Sequence, residues 1–427
     1  MPNIWRFNRG DWSEAYVFLK ALGDGRIYGA NADFQRNPST ILDIIAVHRF
    51  ENKRPSDKVL HFRRALLGIE SDISAFADDV EFAVITSSEM REKAEYLYNC
   101  IKNVTNARRK IEIPNIQQYL ENIKFSSPKA PGLTNNQKDI YGSITDIIIT
   151  TEDSMDHAQS TDGFSIKSHM GSPSTLLNYS EGSNMVYRLV GCDEEWMHRL
   201  NAMDSQREMI AEIKNNPALS LEFINCKEVY DRRGNTLGHV FADNLEYIDT
   251  RMIEIVNVAL LARCGYTDIL PESHDIKDIV DVVSQINPLN VRRPEMFYKA
   301  KFKDLLFASF GGMTVSTPWD GRRRITGGYI DVSQDGDLLY YRALSDDVFN
   351  TYLYEHTYID LPQRGRKYDI AHQRAIWHIN DQEEDATVIQ EIVDTVDPKG
   401  NCAYIYQHDE DGEQSYYLNL NFQIRFR

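Results

Sequence analysis

The sequence predicts an α/β (α+β) fold. Three observations carry that expectation: an amphipathic helix near the start, a β-hairpin with a further strand between residues 145 and 190, and a change from helical periodicity over residues 194–310 to alternating strands beyond residue 325. Apolar residues recur at helical spacing over residues 12–22, and Gly23 is the expected stop. Asp11 and Glu14 have the N-cap and N3 spacing of a capping box, an ordinary structural role for both. Strands are expected at residues 41–47 and 81–86, and helices at 89–103 and 116–125. Residues 126–132, Ser-Ser-Pro-Lys-Ala-Pro-Gly, read as a linker by composition. Two short β-favouring runs, 147–149 and 164–167, are bounded by turn-rich stretches at 152–156 and 160–163, which makes a hairpin the natural assignment. Ser172-Pro173 has the form of a helix start with proline at the first helical position, and 185–190 is the next strand. Helices follow at 249–264, 275–286 and 294–310, then strands at 327–332, 338–341, 403–406 and 416–426. No internal repeat or low-complexity tract interrupts this order.

The chain has 427 residues, 42% hydrophobic and 26% charged, enough for a large core and more than one structural domain. No run approaches a membrane span, and the first residues lack a basic region followed by an apolar core, so a cytoplasmic location is expected. Five scattered cysteines read as reduced thiols and not as zinc ligands or a disulfide framework. His157, His169, His356, His372 and His378 make no metal-ligand spacing, which disfavours an HNH-type centre.

A formal charge of -17 opposes nucleic-acid binding unless the basic residues are gathered on one surface. They do bunch, at 63–64, 108–110, 292–293, 322–324 and 364–367. The bland reading of any such cluster is a solvated face. Arg322, Arg323 and Arg324 are the exception, because they follow a Pro-Trp-Asp-Gly turn from which a loop can enter a groove; Arg366 is a further candidate. The last strand alternates Leu418, Leu420, Phe422, Ile424 and Phe426 with Asn419, Asn421, Gln423 and Arg425. Asn, Gln and Arg suit the edges of adenine and guanine, so Asn421, Gln423 and Arg425 are candidate base contacts, against the plainer reading of a polar sheet face in water.

The hairpin carries the chemistry. Asp146 opens one strand and Lys167 lies near the end of its neighbour. A carboxylate that can hold a divalent ion, beside an ammonium that eases charge on a hydroxide nucleophile and on the transition state, is what metal-dependent phosphodiester hydrolysis requires. Asp146, a hairpin, then Ser165-Ile166-Lys167 resembles the PD-(D/E)xK endonuclease pattern, with serine in the usual second-carboxylate position. One acidic ligand is too few, so Glu181 or Glu14 is expected to supply the other. Asp162 reads as a turn residue.

Three blocks narrow the resemblance: Asn8-Arg9-Gly10-Asp11-Trp12-Ser13-Glu14 with Leu22-Gly23-Asp24-Gly25; Gly163-Phe164-Ser165-Ile166-Lys167-Ser168 through Thr175-Leu176-Leu177-Asn178; and residues 417–426. Together they resemble the HpaII-type family of type II restriction endonucleases. That resemblance implies a PD-(D/E)xK core with a mixed central sheet and Mg²⁺-dependent, sequence-specific cleavage of double-stranded DNA. In that reading Asp146 with Glu181 or Glu14 binds the metal, Lys167 orients or activates the attacking water, and Ser165 is at most a water-mediated ligand. It allows a homodimer and implies a cognate DNA methyltransferase as functional partner. The expected domains are a nuclease core over 1–190 with an insertion at about 34–140, a mainly helical lobe over 191–311, and a strand-rich region over 312–427 serving DNA recognition and completing the core. Two other classes fit the composition, a catalytically weak DNA-binding protein on the same fold and an acidic scaffold that does not bind nucleic acid. Metal-dependent cutting of DNA and salt-sensitive duplex binding separate them.

Overall fold

The computed structural model describes residues 4–427 other than 52–57, 105–109, 131, 143, 154–156, 171–173, 204, 232, 323–325, 343–345, 362–404 and 411–412. The chain divides into two compact units, Met1–Ser174 with Arg323–Tyr352, and Thr175–Arg322 with Leu353–Arg427. Eleven α-helices and eighteen strands lie among the described residues.

The first unit begins with α1 (Arg9–Asp24). Its N-cap is Asn8, whose side chain accepts from the Asp11 N–H at 2.9 Å while the Asp11 carboxylate accepts from the Asn8 N–H at 3.3 Å. The capping box expected from Asp11 and Glu14 is therefore displaced by one turn: extended backbone ends at Asn8, Asp11 is N3, and Glu14 is free of any capping duty. At the other end Gly25 adopts φ +71°, and its N–H donates to the Ala21 carbonyl. Trp12, Ala15, Val17, Leu19 and Leu22 are fully buried, so α1 is sequestered over most of its circumference.

From there the chain forms β1 (Arg26–Ala30), β2 (Arg36–Glu51), β3 (Lys58–Arg64), β4 (Asp72–Ala77), β5 (Val80–Thr86), α2 (Ser87–Lys102), α3 (Pro114–Asn122), α4 (Asn135–Tyr141), β6 (Ile147–Asp153) and β7 (Gln159–Ser168). It passes into the second unit through β8 (Thr175–Leu177), β9 (Asn184–Val190), α5 (Glu194–Asn201), α6 (Gln206–Asn215), β10 (Ser220–Cys226), β11 (Val229–Tyr230), β12 (Thr236–Gly238), α7 (Val240–Glu246), α8 (Met252–Cys264), α9 (Ile276–Ile286) and α10 (Pro294–Phe310). Then it returns with β13 (Gly328–Val332), β14 (Leu338–Arg342) and α11 (Asp346–Glu355), and ends as β15 (Thr357–Asp360), β16 (Ile405–Glu410), β17 (Glu413–Asn421) and β18 (Gln423–Phe426).

The first unit is built on one mixed sheet in the order β1-β14-β13-β7-β6-β2-β3-β4-β5. β13 runs parallel to β7 and β14 parallel to β1, while the remaining pairs are antiparallel. The long β2 pairs with β1 through its first half and with β6 through its second, so β1, β14, β13, β7, β6 and β2 close into a ring. α1 packs on the face that carries Phe164, Ile166, Ile330 and Val332. By strand alternation and the β7–β13 register, Ser165, Lys167, Tyr329 and Asp331 lie on the opposite face.

β2 to β5 extend the same sheet, and their apolar residues join one cluster with α1. One expectation changes here. The hairpin turn is shorter than the composition suggested: residues 160–163 already belong to β7, so Asp162 is a strand residue. The compositional turn signal of Thr161-Asp162-Gly163 yields to cross-strand pairing with β6.

The second unit contains an antiparallel sheet in the order β10-β9-β17-β16 and a smaller one, β15-β18-β8. The strand expected at 185–190 thus pairs with β10 and β17 and lies outside the nine-stranded sheet of the first unit. The short helix expected after Ser172-Pro173 is strand β8 where it is described, because Thr175 and Leu177 pair with β18. α8, α9 and α10 form the helical part, burying Ile255, Val256, Ile279, Val283, Phe302 and Leu306. The four described cysteines are free thiols, and among the described residues no helix is long and apolar enough to cross a membrane.

Phe62 of β3 is fully buried, with its ring 4.8 Å from Phe18 of α1 and 6.0 Å from Phe125. Phe62→Ala is expected to cost about 3–5 kcal/mol, read as a lower urea midpoint. An unchanged midpoint would show that the 34–140 segment does not share the core.

Candidate active site

Asp146 immediately precedes β6, and its backbone N–H donates to the Phe164 carbonyl at 2.9 Å, which ties it to β7 just beyond the last ladder pair, Ile147 with Phe164. The turn before it is tied down by Thr145, whose hydroxyl donates to the Tyr141 carbonyl at 2.5 Å. This turn lies directly on Gly163: a Cβ there would stand 2.2 Å from the Tyr141 oxygen and 2.3 Å from the Thr145 hydroxyl. Glycine is required at 163 so that the loop bearing Asp146 can close onto β7.

One carboxylate oxygen of Asp146, Oδ2, accepts from the Ile166 N–H at 2.7 Å and from Ser165 Oγ at 3.1 Å. No described donor reaches Oδ1. Two residues along β7, Lys167 stands on the same face as Ser165, and its ammonium is close enough to lower the Asp146 pKa without forming an ion pair. Burial outweighs these favourable contacts and raises the Asp146 carboxyl above its ordinary value; the Ile166 N–H, Lys167, Ser165 and Lys129 pull it back.

Glu14, released from capping, projects from α1 into a cavity that it shares with Asp146, Phe18, His48, Arg49 and Thr145. Its Oε2 accepts from the Ala130 N–H at 2.8 Å, and Lys129 Nζ lies 3.9 Å from Oε1. Burial, followed by the negative charge of Asp146, pushes the Glu14 carboxyl up to about 8, against the Ala130 N–H, Lys129 and Arg49. α1 is fixed against β7 by a Ser13–Ser168 hydroxyl contact of 3.0 Å. Asp146 is therefore felt by Lys167 on one side and by Glu14 with Lys129 on the other.

The segment expected to be a linker completes the cavity wall. Arg49 of β2 is buried, pairs with Glu51, and donates through Nη2 to the carbonyls of Ser127 and Lys129 at 2.8 and 2.7 Å. Ser126 also donates to Glu51, and the Arg49 guanidinium lies 4.0 Å over the Phe125 ring. Nothing in the composition of residues 126–132 signals this role; the only trace is the Arg-x-Glu pair that ends β2. His48 contacts His61 and Thr150, and burial with the nearby His61 lowers it to about 4, so it lines the cavity as a neutral ring.

Among the described residues no three His, Cys, Asp or Glu side chains converge as a ready metal cage. The hard oxygen donors present are the Asp146 and Glu14 carboxylates. Each has its proton affinity raised by burial, and Asp146 has an oxygen without a donor, so the pair fits a hard divalent cation that takes further ligands from water or phosphate.

The other sequence candidates fall elsewhere. Glu181 starts a 3₁₀ turn in the second unit, and its carboxylate lies 3.2 Å from Lys227 Nζ. Arg322 is exposed on a structured turn, where Trp319 Nε1 donates to its carbonyl at 2.9 Å. Arg323, Arg324 and Arg366 lie outside the described residues. Asn421 and Gln423 are each 2% exposed, and the Asn421 amide donates to Ser183 Oγ and Asn184 Oδ1, both at 2.9 Å. Arg425 is paired with Asp360. The polar face of the last strand is thus an interior one in this unit: the chain changes sheets at Phe422, and neighbouring strands cover the side chains that alternation alone would leave to solvent.

A family model described as HpaII restriction endonuclease matches residues 8–370. The chain belongs to the HpaII restriction endonuclease family. A type II restriction enzyme HpaII from Haemophilus parainfluenzae is 30% identical over 385 residues, 89% of this chain and 96% of that enzyme. No solved structure matches the chain. Family membership makes it a type II site-specific deoxyribonuclease with double-stranded DNA as its substrate class. The matched region spans Glu14, Asp146, Ser165, Lys167 and Glu181.

The raised Glu14 pKa has a consequence for stability. Folding holds this proton tighter than the ordinary 4.5, up to about 8, so the folded chain binds more protons than the unfolded chain between those values and Glu14 makes stability fall as pH rises through that window. Glu14→Gln should flatten this part of the pH dependence and be more stable than the parent at pH 8. Urea unfolding at pH 5, 6.5 and 8 checks it; parallel curves for the two proteins would contradict the cavity electrostatics.

Proposed function

We propose that this nuclease hydrolyses DNA phosphodiester bonds in a Mg²⁺-dependent reaction centred on Asp146, on a PD-(D/E)xK-type core with Ser165 in the second-carboxylate position. The observation that carries the proposal is the Asp146 carboxylate, held by Ser165 and the Ile166 N–H beside Lys167 and sharing a cavity with Glu14. Asp146 and Glu14 would hold the cation, which when bound would polarise a phosphate oxygen and favour ionisation of water. Lys167 orients the attacking water and keeps a positive charge beside the phosphate as negative charge grows there. Ser165 contributes by fixing Asp146, and water carries any further link from its hydroxyl. Glu14 is preferred to Glu181 because Glu14 lines the same cavity as Asp146.

DNA contact is assigned to the exposed Arg322 turn, together with Arg323, Arg324 and Arg366. Each chain carries one such centre, so a homodimer would supply one for each strand, and a cognate methyltransferase would protect host DNA.

Purified protein with long unmethylated DNA and Mg²⁺ should give discrete fragments sharing one terminal sequence, and EDTA should abolish them. A smear at low enzyme, or cutting that persists in EDTA, contradicts the reading. Lys167→Ala should retain cognate binding while cleavage falls roughly 100-fold or more, because the lysine acts on the transition state more than on ground-state affinity. Asp146→Asn should lose cleavage similarly and respond differently to metal concentration. Glu14→Gln should behave like Asp146→Asn and Glu181→Gln like the parent; the reverse pattern would transfer the metal site to Glu181.

A further inference from the structure

Lys129 adds a cation on the Glu14 side of the cavity, where the Arg49 guanidinium is already paired with Glu51. Its Nζ lies 3.9 Å from Glu14 Oε1 and 3.6 Å from Asp11 Oδ1, and its charge acts on Asp146 as well. The residue does not reach this place by chance of a loose loop. Arg49, buried and paired with Glu51, grips the carbonyls of Ser127 and Lys129; Ser126 donates to Glu51; and the next residue, Ala130, donates its N–H to Glu14 itself. Three backbone groups, the Ser127 and Lys129 carbonyls and the Ala130 N–H, thus hold the segment that presents one ammonium to the Glu14 side of the cavity. The Lys129 side chain is 56% exposed, so it can swing away without breaking the strap that carries it.

We infer that Lys129 is a resident counter-ion of the metal site: it stands beside Glu14 in the metal-free enzyme and gives way when a divalent cation enters. The inference rests on the reading of Asp146 and Glu14 as metal ligands. An ammonium and a divalent cation compete for the same oxygens, and a cation of double charge is repelled by a fixed ammonium twice as strongly as a single charge would be. The lysine therefore keeps the two buried carboxylates compatible with the folded chain in the absence of metal, while making the site less avid for metal than its carboxylates alone would be. Its two alternatives differ in outcome. A lysine that only staples the loop would leave metal affinity alone, and a lysine that supports the metal shell would weaken binding when removed.

The test uses the full chain without DNA and reads Mn²⁺ binding from the electron paramagnetic resonance signal of the free ion, for the parent, Lys129→Gln, Lys129→Arg and Asp146→Asn. Lys129→Gln should bind Mn²⁺ roughly two- to tenfold more tightly than the parent, a range set by the modest strength of a half-exposed ion pair. Lys129→Arg, which keeps the charge, should bind like the parent, and Asp146→Asn should lose the site. Equal or weaker binding by Lys129→Gln, or tighter binding by Lys129→Arg, overturns the counter-ion role while the metal site stands. If parent and Lys129→Gln both lack a site that depends on Asp146, the metal reading and the inference fall together.

Discussion

A carboxylate taken out of water is costly unless donors replace its hydration, and the first unit is arranged around meeting that cost at Asp146. The donors come from the neighbouring strand: the Ile166 N–H and the Ser165 hydroxyl both reach Oδ2, while the Asp146 N–H donates to the Phe164 carbonyl at the end of the β6–β7 ladder. A slip of one residue would turn Ser165 and Lys167 away from Asp146 and bring Phe164 and Ile166 to its face. The glycine at 163 permits that register by letting the 141–145 turn lie against β7, and the parallel strand β13 supports β7 from the other edge. Serine at 165 is thus a structural participant here, an uncharged donor to Asp146 where a second carboxylate would have repelled it.

The second carboxylate is supplied from a different direction. α1 carries Glu14 to the cavity because its capping box is made by Asn8 and Asp11, and because its buried face packs on the side of the sheet opposite Lys167. The resulting pair is electrostatically uncomfortable, as the raised proton affinity of Glu14 records. The compensation is local and cationic: Lys129 and the buried Arg49 lie within reach, and Arg49 is itself paired with Glu51 so that its charge is not left alone. Tension of this kind, held by a well-packed sheet, is characteristic of sites that bind an ion or run chemistry.

Much of this was legible in the sequence, and the parts that were not share a cause. Helix α1, the Asp146 hairpin and helices α8 to α10 follow from periodicity and were expected within a few residues. Asp146 and Lys167 stand out because a strand alternation fixes which side chains share a face. What alternation cannot supply is the identity of whatever covers a face. For that reason Asn421 and Gln423, polar and periodic, turned out to lie inside the second unit. Segment 126–130 looked like a linker because Pro, Gly and Ser report backbone irregularity and not location; its role depends on long-range bonds to Arg49 and Glu51 on β2. Sheet order is likewise a property of pairing between distant segments, and β2 meets β6 only in three dimensions.

The account places the metal at Asp146 and Glu14, two residues 132 positions apart that only this fold brings into one cavity. Replacing Mg²⁺ with Fe²⁺ and adding ascorbate and peroxide generates hydroxyl radicals at the bound ion, which cut the nearest backbone, and mass spectrometry of the fragments locates the cuts. The account predicts cleavage beside residue 14, residue 146 and residues 165–166, suppressed by excess Mg²⁺. Cuts clustered at residues 181–183 and 227, with none at residue 14, would contradict it.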